Sequence, residues 1–408
     1  MKANTLVYLI DEVSLNRFLA TSGFMLEKMS KNFKEIFILN FVDYKKKFNF
    51  FIDLNKEVKA EKKEVSPFKL PKNIKLINIK SDKDFTKFCI YRNVIGIDLL
   101  GRRLVDLPIH LLLAKNDVKL IQISNIGNIQ FTLKIDKSSL IKGLKYHLDK
   151  KVSKYLYYLL ANLFLIPKIE IRFISNANIL ENINNNLIKK IFHKYKFFIT
   201  KRIINVNSIS FDQFHSNKNK LSENYIVFLD HDLASPDDQY FGHKKINEKK
   251  HFTELKVFLE DLSQTFKKKV IVTIHPRGKV SLKKKIFSNF KVVKYQTRDY
   301  INKAFLVVFF ESSAIVNAIL LKKKIITITS DYLNENLKLG SKRYQNQVGI
   351  YHLNVQNRLN FDKKTLIKEL NKSKVKYKNF INTYIGPDKN RIGYKKIIKI
   401  MKNELFKN

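Results

Sequence analysis

The chain reads VIVTIHPRG at 270–278, FLVVFFESSAIVNAILL at 305–321 and KIITITS at 324–330. Short apolar runs rich in Val, Ile and Phe alternate here with segments long enough to be helices. This alternation is typical of parallel strands joined by crossover helices. The pattern therefore predicts that this half of the chain is an α/β domain with a parallel sheet.

Polar residues follow two of these predicted strands, directly after the runs 270–274 and 305–310. Pro276 ends the first strand, and the side chains of His275 and Arg277 can donate hydrogen bonds to the oxygens of an anion. After the second strand, a Ser hydroxyl can cap the next helix, whose first backbone N–H groups favour an anion. Ligands of open parallel sheets bind outside the carboxyl ends of the strands, so both positions suit a phosphate, although each motif alone could be only a turn or a cap. The predicted phosphate-binding residues are His275, Pro276, Arg277, Gly278, Glu311, Ser312 and Ser313.

The His-Pro pair at 275–276 and the Ser-Ser pair at 312–313 resemble two motifs of the two-Rossmann-domain (GT-B) glycosyltransferases. The resemblance is strongest to the bacterial sialyltransferase-like enzymes. In that family both motifs lie in the C-terminal domain and hold the phosphate of a CMP-sugar donor, which implies this role for the two pairs here. The family's acidic pair followed by Gly, which supplies the general base in the N-terminal domain, is not evident in this chain.

Length and pattern together predict two domains. At 408 residues the chain is long enough for two ordinary domains that each bury a core. We predict an α/β fold with two Rossmann-like domains facing a cleft, as the resemblance to GT-B enzymes implies. The predicted boundaries are 1–210 for an acceptor domain, 221–385 for a nucleotide-sugar domain and 386–408 for a C-terminal helix that crosses back towards the first domain.

The chain opens with the strand TLVYLI (5–10), an amphipathic helix and the strand EIFILNFV (35–42), which is how a Rossmann-like domain begins. No Gly-rich phosphate fingerprint follows the first strand, so we do not expect a dinucleotide there. Asp11 and Glu12 stand at the carboxyl end of that strand and are candidates for the general base. The alternative is that they are carboxylates at a helix N-terminus, where the helix dipole favours them.

Two further carboxylates, Asp230 and Asp232, come at and just after the end of the strand YIVFLD (225–230). Their spacing is similar to the DxD metal site of the other large glycosyltransferase architecture, which ties a divalent cation to a nucleotide diphosphate. A loop that carries acceptor contacts or the base explains the pair as well. We predict no metal site and retain Asp230 and Asp232 as candidate catalytic residues.

The segment SDYLNENLKLGSKRYQNQVGIYHLNV (330–355) is predicted to be a loop. Through Tyr332, Ser341, Arg343 and Tyr344 it could supply the flat apolar surface and the polar groups that a nucleotide base or ribose needs. A plain structural loop explains the segment equally well.

The formal net charge of +42 would usually indicate a nucleic acid or an anionic membrane as partner. The Lys excess comes with abundant Asn, Ile, Phe and Tyr and no Trp, a composition that an AT-rich genome produces everywhere. The sequence has no zinc-finger spacing, RNP-like motif or separate basic tail, so we predict no nucleic-acid partner. A basic surface also favours peripheral contact with an anionic membrane, at about 1 kcal/mol for each Lys or Arg near the headgroups.

Cysteine usage and apolar runs bear on the compartment. The chain has one cysteine, Cys89, so it can form no internal disulfide, and a reducing compartment is favoured. Residues 1–10 are too short for a signal peptide and run straight into acidic residues. The most apolar stretch, between Lys154 and Pro167, is shorter than the roughly 20 residues that a membrane span needs. We therefore predict a cytoplasmic protein, with peripheral attachment to the inner face of the membrane as an option.

Together these inferences predict a metal-independent glycosyltransferase without a cofactor, whose substrates are a nucleotide sugar and a glycan or glycolipid acceptor. On the resemblance, the sugar is a nonulosonic acid such as sialic acid, moved from its CMP donor to a cell-surface glycan of a capsule or lipopolysaccharide. The alternatives on the same fold are a UDP-sugar or CDP-polyol transferase and a nucleotide-sugar epimerase. A non-enzymatic basic protein that binds nucleic acid or membrane is a further alternative.

Overall fold

The computed structural model describes the chain as two compact units. The described residues are 3–12, 14–48, 68–101, 106–123, 156, 159–160, 163, 165–175, 200–216, 224–231, 247–276, 278–333, 335–357, 362–386 and 392–406. Those up to Asp212, together with those from Gly386 onwards, form the first unit, and Gln213–Ile385 form the second. The predicted domain boundaries stay a prediction, because residues 217–223 and 387–391 lie outside the described part.

The first unit is built on a parallel sheet, which among the described residues has seven strands in the order β3-β2-β1-β4-β5-β6-β7. The strands are β1 (Ala3–Ile10), β2 (Ile36–Asn40), β3 (Ile74–Asn78), β4 (Arg92–Asp98), β5 (Lys119–Ile123), β6 (Ile169–Ile174) and β7 (Thr200–Asn205). The described helices between β1 and β8 are α1 (Leu15–Ser30), α2 (Val42–Lys45), α3 (Asp82–Cys89), α4 (Leu107–Lys115) and α5 (Ile209–Ser216). Tyr8 of β1 packs with α1 on one face, and Leu9 packs with α3 and α4 on the other. Both faces are thus covered by helices, which is the usual setting of a parallel sheet.

The second unit contains a parallel sheet with the order β10-β9-β8-β11-β12-β13, six strands in the part that is described. The strands are β8 (Tyr225–Leu229), β9 (Val270–Ile274), β10 (Lys291–Lys294), β11 (Ala304–Phe309), β12 (Lys324–Thr329) and β13 (Tyr351–Asn354). The helices are α6 (Glu248–Phe266), α7 (Val280–Ile286), α8 (Thr297–Asn302), α9 (Ile315–Leu320), α10 (Glu335–Val348) and α11 (Lys363–Phe380). Strands β8 and β11 lie side by side at the centre. The strand that follows β8 in the chain, β9, lies towards one edge of the sheet, and the strand that follows β11, β12, lies towards the other edge. This is the Rossmann strand order, so the predicted α/β fold with two Rossmann-like domains is confirmed.

The prediction of a loop at 330–355 is wrong. This segment contains helix α10 and the edge strand β13. Gly340, Tyr344 and Val348 recur every four residues and are all buried, so one face of the helix packs inwards. Gly, Ser and Asn in this segment have low intrinsic helix propensity, but its Glu, Leu, Lys, Arg and Gln residues favour a helix. Ser341 is also buried in this packing, instead of being presented on a loop.

The last helix, α12 (Gly393–Glu404), belongs to the first unit. Its residue Ile397 packs in the apolar cluster that contains one face of strand β1. The carboxylate of Asp212 accepts hydrogen bonds from the backbone N–H groups of Gly393 at 2.9 Å and Tyr394 at 2.6 Å. The first N–H groups of a helix have no partner within the helix, so this side chain satisfies two of them. Asp212 thereby ties the start of α12 to α5.

Candidate functional site

The predicted phosphate-binding residues begin where β9 ends. All five residues of β9 are buried, and the chain leaves the sheet through His275 and Pro276, which are both partly buried. The backbone N–H of Gly278 donates to the carbonyl oxygen of His275 at 2.8 Å and closes a tight turn. A Cβ atom at position 278 would lie only 3.2 Å from that oxygen, so the turn favours glycine. Arg277, the other donor predicted in this turn, lies outside the described residues.

The second predicted group follows β11. Ser312 is partly buried and Ser313 is exposed. The N-cap of α9 is Ala314, so the expectation that a Ser residue caps this helix is wrong by a register of one or two residues. The Ser312 hydroxyl oxygen instead accepts a hydrogen bond from the backbone N–H of Ala314 at 3.3 Å, which stabilises the turn before the helix. Because the oxygen acts there as an acceptor, the Ser312 O–H can still donate to an anion.

Helix α10 packs directly behind this second group. The Tyr344 hydroxyl donates to the carbonyl oxygen of Ser312 at 3.5 Å, and the Tyr344 ring meets the Phe309 ring edge-on with 4.9 Å between centres. The partly buried Glu311 lies against Gly340, where a Cβ atom would be 2.5 Å from the Glu311 carboxylate oxygen Oε2. Glu311 can therefore keep this position only if residue 340 has no side chain.

Strand β8 lies between β9 and β11, so the two predicted groups emerge at the same edge of the second sheet. Neighbouring strands are about 4.8 Å apart, which separates the ends of β9 and β11 by about 10 Å. Asp230 and His231 stand at the end of β8, and the backbone N–H of Asp230 donates to the carbonyl oxygen of Thr273 at 2.9 Å. The structure thus brings the residues that follow β8, β9 and β11 to one edge, at the point where the strand order reverses.

Asp230 forms a buried ion pair with Lys283, which stands on α7. The Lys283 ammonium nitrogen lies 3.0 Å from Oδ1 and 2.9 Å from Oδ2 of Asp230. Each of the two side chains is only 2% exposed. A carboxylate held in this way is inaccessible to an acceptor hydroxyl, so the geometry favours a supporting role for Asp230 over that of a base. Asp232, the second predicted carboxylate here, lies outside the described residues.

Two imidazoles, His231 and His251, flank this ion pair. The Nδ1 atom of His231 and both ring nitrogens of His251 are buried and lack a hydrogen-bond partner among the residues that the structure describes. Burial, and after it the positive charge of Lys283, lowers the pKa of each ring to about 4. Both rings are therefore uncharged at neutral pH. The centre of the His231 ring lies 6.4 Å from the centre of the His275 ring.

Lys283, His231 and His251 are not among the site residues predicted from the sequence. Lys283 belongs to a run of three lysines, which looks like a solvated helix face. A local signal was present, because Lys283 lies three residues after Val280 and four residues before Phe287, which directly follows α7. His251 carried a similar signal, because Leu255 and Phe258 follow it by four and seven residues and all three are buried on α6.

The carboxylates predicted as bases in the first unit lie at the end of β1. Asp11 forms an ion pair with Lys45 of α2, and the same ammonium pairs with Asp106 at the start of α4. The Asp11 side chain is 18% exposed, whereas that of Asp106 is fully buried. The backbone carbonyl of Glu12 accepts a hydrogen bond from the side-chain amide of Asn40 at 2.8 Å. A polar cluster that includes Asp11 therefore occupies the carboxyl edge of the first sheet.

The alternative explanation of Asp11 and Glu12 as helix N-terminal carboxylates does not fit this geometry. Helix α1 is capped by Ser14, whose hydroxyl oxygen accepts from the backbone N–H of Asn16 at 3.2 Å. The first turn of α1 contains no acidic residue. The partner of Asp11 is Lys45, which is distant in the sequence and which the sequence analysis did not find.

Within the described ranges, no group of three or more His, Cys, Asp or Glu residues is arranged to hold a metal ion. None of the helices in those ranges is both long enough and apolar enough to cross a bilayer.

No protein-family model matches this chain, and no curated protein sequence matches it. Several solved structures are similar to it in fold. The H548A variant of the wall teichoic acid polymerase TagF aligns with a TM-score of 0.56 at 11% identity, over 99% of this chain and 89% of that one. TagF H444N soaked with CDPG gives 0.55 at 11% identity, over 98% and 88%. UDP-GlcNAc 2-epimerase from Methanocaldococcus jannaschii gives 0.50 at 15% identity, over 98% and 99%. At such identities the likeness establishes the fold alone, and the chain has the two-Rossmann-domain fold of the GT-B type.

Proposed function

We propose that this chain is a glycosyltransferase that moves a sugar from a nucleotide-linked donor without using a metal ion. The donor's phosphate binds at the carboxyl edge of the second sheet, between His275 and Ser312. The observation that carries the proposal is the convergence of these residues at the reversal of the strand order, which is where open α/β sheets bind their ligands. On the resemblance of the His-Pro and Ser-Ser pairs, the donor is a CMP-linked nonulosonic acid such as sialic acid.

The leaving phosphate is stabilised by hydrogen-bond donors in this mechanism. An oxygen of the acceptor attacks the anomeric carbon of the sugar while the bond from that carbon to the phosphate oxygen breaks. His275 and the hydroxyls of Ser312 and Ser313 donate to the phosphate as its negative charge develops, and Arg277 would add positive charge. Fixed donors aimed at a developing charge are usually the largest electrostatic contribution to catalysis.

The proton of the acceptor hydroxyl must pass to a base, and Asp11 is our first candidate. Its side chain is 18% exposed, whereas Asp106 is fully buried and Asp230 is 2% exposed. A base has to come within hydrogen-bond reach of the proton that it removes, and accessibility therefore favours Asp11. Glu12 is the second candidate.

Other donors would use the same residues. TagF has been solved with CDPG and the epimerase acts on UDP-GlcNAc, and both share the fold of this chain. A CDP-polyol transferase, a UDP-sugar transferase or a nucleotide-sugar epimerase are therefore the alternatives. Each would hold its phosphate with the same imidazole and hydroxyl groups.

Thermal unfolding in the presence of CMP, CDP, UDP and GDP tests the proposal and separates these alternatives. A nucleotide at 100 times its Kd stabilises the folded state by about 2.7 kcal/mol, so selective stabilisation by one of the four identifies the donor class. We expect CMP to be selected, and His275→Ala to abolish most of the shift.

His352→Ala is the matched control for His275→Ala. His352 lies on the edge strand β13 of the same unit, and burial followed by the charge of Lys342 lowers its pKa to about 4. The control variant should keep the nucleotide-induced shift. Absence of a shift with all four nucleotides, together with salt-dependent binding to DNA or to anionic vesicles, would favour the non-enzymatic alternative instead.

A further inference from the structure

The two imidazoles at the edge of the second sheet are close enough to share a ligand. His231 follows β8 and His275 follows the adjacent strand β9, and their ring centres are 6.4 Å apart with 41° between the planes. An oxygen that accepts a hydrogen bond from an imidazole nitrogen lies about 4 Å from the ring centre. Two rings at this separation can therefore contact the same phosphate group.

The ion pair of Asp230 and Lys283 fixes the position of one of these rings. Asp230 immediately precedes His231. Its Oδ1 accepts a hydrogen bond from the Lys283 ammonium at 3.0 Å, and its Oδ2 lies 2.9 Å from the same nitrogen. Lys283 stands on α7, the helix that follows the turn of His275. The pair thus connects the chain after β8 to the helix after β9, with 2% exposure of either side chain.

We propose that His231 is a second phosphate-binding residue of this site and that Lys283 is its positioning residue. The proposal rests on the function proposed above and deepens it. It means that the donor's phosphate meets an imidazole from each of two neighbouring strands, in addition to the serine hydroxyls.

The protonation state of His231 suits a hydrogen-bond donor better than a base. Burial and the Lys283 charge lower the pKa of His231 to about 4, so at pH 7 roughly one ring in a thousand carries a charge. A group with that pKa is a weak base at neutral pH. Its buried Nδ1 has no hydrogen-bond partner among the described residues, and an orphaned buried N–H is rarer than an orphaned acceptor. The proton therefore belongs on Nε2, which is the atom that can donate to phosphate.

Nucleotide affinity tests the contact itself. For whichever of CMP, CDP and UDP the unmodified protein binds, titration calorimetry should show about tenfold weaker binding by His231→Ala, as expected for loss of a hydrogen bond to a charged group. His231→Gln places an amide N–H near the position of Nε2 and should recover part of the affinity, and His231→Asn should recover less. His352→Ala should bind as the unmodified protein does.

The role of Lys283 is tested by two variants that break the same ion pair. Lys283→Met removes the ammonium and leaves the Asp230 carboxylate, whereas Asp230→Asn leaves the ammonium. We expect the pKa of His231, followed by NMR of its ring protons, to rise in Lys283→Met and to fall or stay low in Asp230→Asn. Because these shifts follow from charge alone, the positioning role is read from nucleotide affinity. Folded Lys283→Met and folded Asp230→Asn should both bind nucleotide more weakly, whereas a pair that serves stability alone would leave the nucleotide affinity of the folded variants unchanged. Lys283→Arg keeps the charge and serves where Lys283→Met does not fold, because it should leave the His231 pKa low.

The outcomes separate this proposal from the one on which it rests. If His275→Ala loses nucleotide affinity but His231→Ala does not, the second imidazole is refuted and the transferase proposal stands. If neither variant changes nucleotide affinity, both proposals are refuted. Unchanged nucleotide affinity in folded Lys283→Met and folded Asp230→Asn would overturn the positioning role of Lys283.

Discussion

Replacing Gly340 by Ala should separate the stability of the second unit from its affinity for nucleotide. Gly340 is buried on α10, and a Cβ atom there would be 2.5 Å from Oε2 and 3.1 Å from Cδ of Glu311. Carbon and oxygen atoms need about 3.5 Å, so the carboxylate must move by about 1 Å. Glu311 is followed directly by Ser312, so this movement disturbs the proposed phosphate-binding residues.

Two opposing terms set the expected stability of Gly340→Ala. Alanine in a helix interior is favoured over glycine by about 1 kcal/mol. Forcing the Glu311 side chain away from its preferred rotamer costs about 0.5–1.5 kcal/mol. The free energy of unfolding should therefore change by less than about 1 kcal/mol, while nucleotide affinity falls by roughly fivefold to tenfold, the effect of one lost or weakened hydrogen bond.

A double-mutant cycle in urea provides the assay. In a Glu311→Ala background the clash is gone, so Gly340→Ala should then stabilise by the full amount of about 1 kcal/mol. The coupling between the two positions should be about 0.5–1.5 kcal/mol. Gly23→Ala is the control, because Gly23 also lies within a helix and its added Cβ would meet only Leu19, at 3.9 Å. It should stabilise the chain and leave nucleotide affinity unchanged. The reasoning is refuted if Gly340→Ala stabilises the unmodified chain and the Glu311→Ala variant equally and leaves nucleotide affinity unchanged.

Two predictions concern the first unit. Lys45→Met leaves the buried Asp106 and its neighbour Asp11 without their shared cation, and should lower the free energy of unfolding by about 3–5 kcal/mol. Lys46→Met, which breaks a partly exposed pair with Asp43, should change it by less than about 1 kcal/mol. Urea denaturation of the two variants tests this, and equal losses would contradict the buried cluster. Burial raises the pKa of Asp212 to about 6, against the lowering effect of its two backbone hydrogen bonds. Its protonated form therefore contributes stability below pH 4 that is lost as the pH rises through 6. Asp212→Asn stays uncharged over this range. Between pH 4 and 8 its free energy of unfolding should fall by about 3 kcal/mol less than that of the unmodified chain. A pH profile of Asp212→Asn parallel to that of the unmodified chain would show that this carboxyl titrates normally.

The arrangement of the second unit explains why the strand-end motifs could be found without coordinates. A parallel strand buried on both faces requires an unbroken apolar run, and β9, β11 and β12 are such runs in the sequence. The chain must leave the sheet where the run stops, so the position of His275 and of Ser312 at the carboxyl edge followed from local pattern alone. The prediction of two Rossmann-like domains drew on the same periodicity, on the chain length and on the resemblance to GT-B enzymes.

Local pattern failed where a residue's environment is made by distant segments. The segment of α10 mixes good helix formers with Gly340 and Ser341, and its buried face of Gly340, Tyr344 and Val348 is defined by tertiary packing. Lys283 looks like one solvated lysine among three, yet its ammonium is buried against Asp230, 53 positions earlier in the chain.

The sequence by itself therefore determined the fold class, the two parallel sheets and the strand ends that carry the candidate phosphate-binding residues, because apolar periodicity and chain-breaking residues act over a few positions. Only the tertiary structure decided which side chains meet there. It paired Asp230 with Lys283, placed His231 beside His275 and joined Asp11 to Lys45. Charges and imidazoles take their protonation states from burial and from neighbours that are remote along the chain, and those neighbours exist only once the sheets have formed.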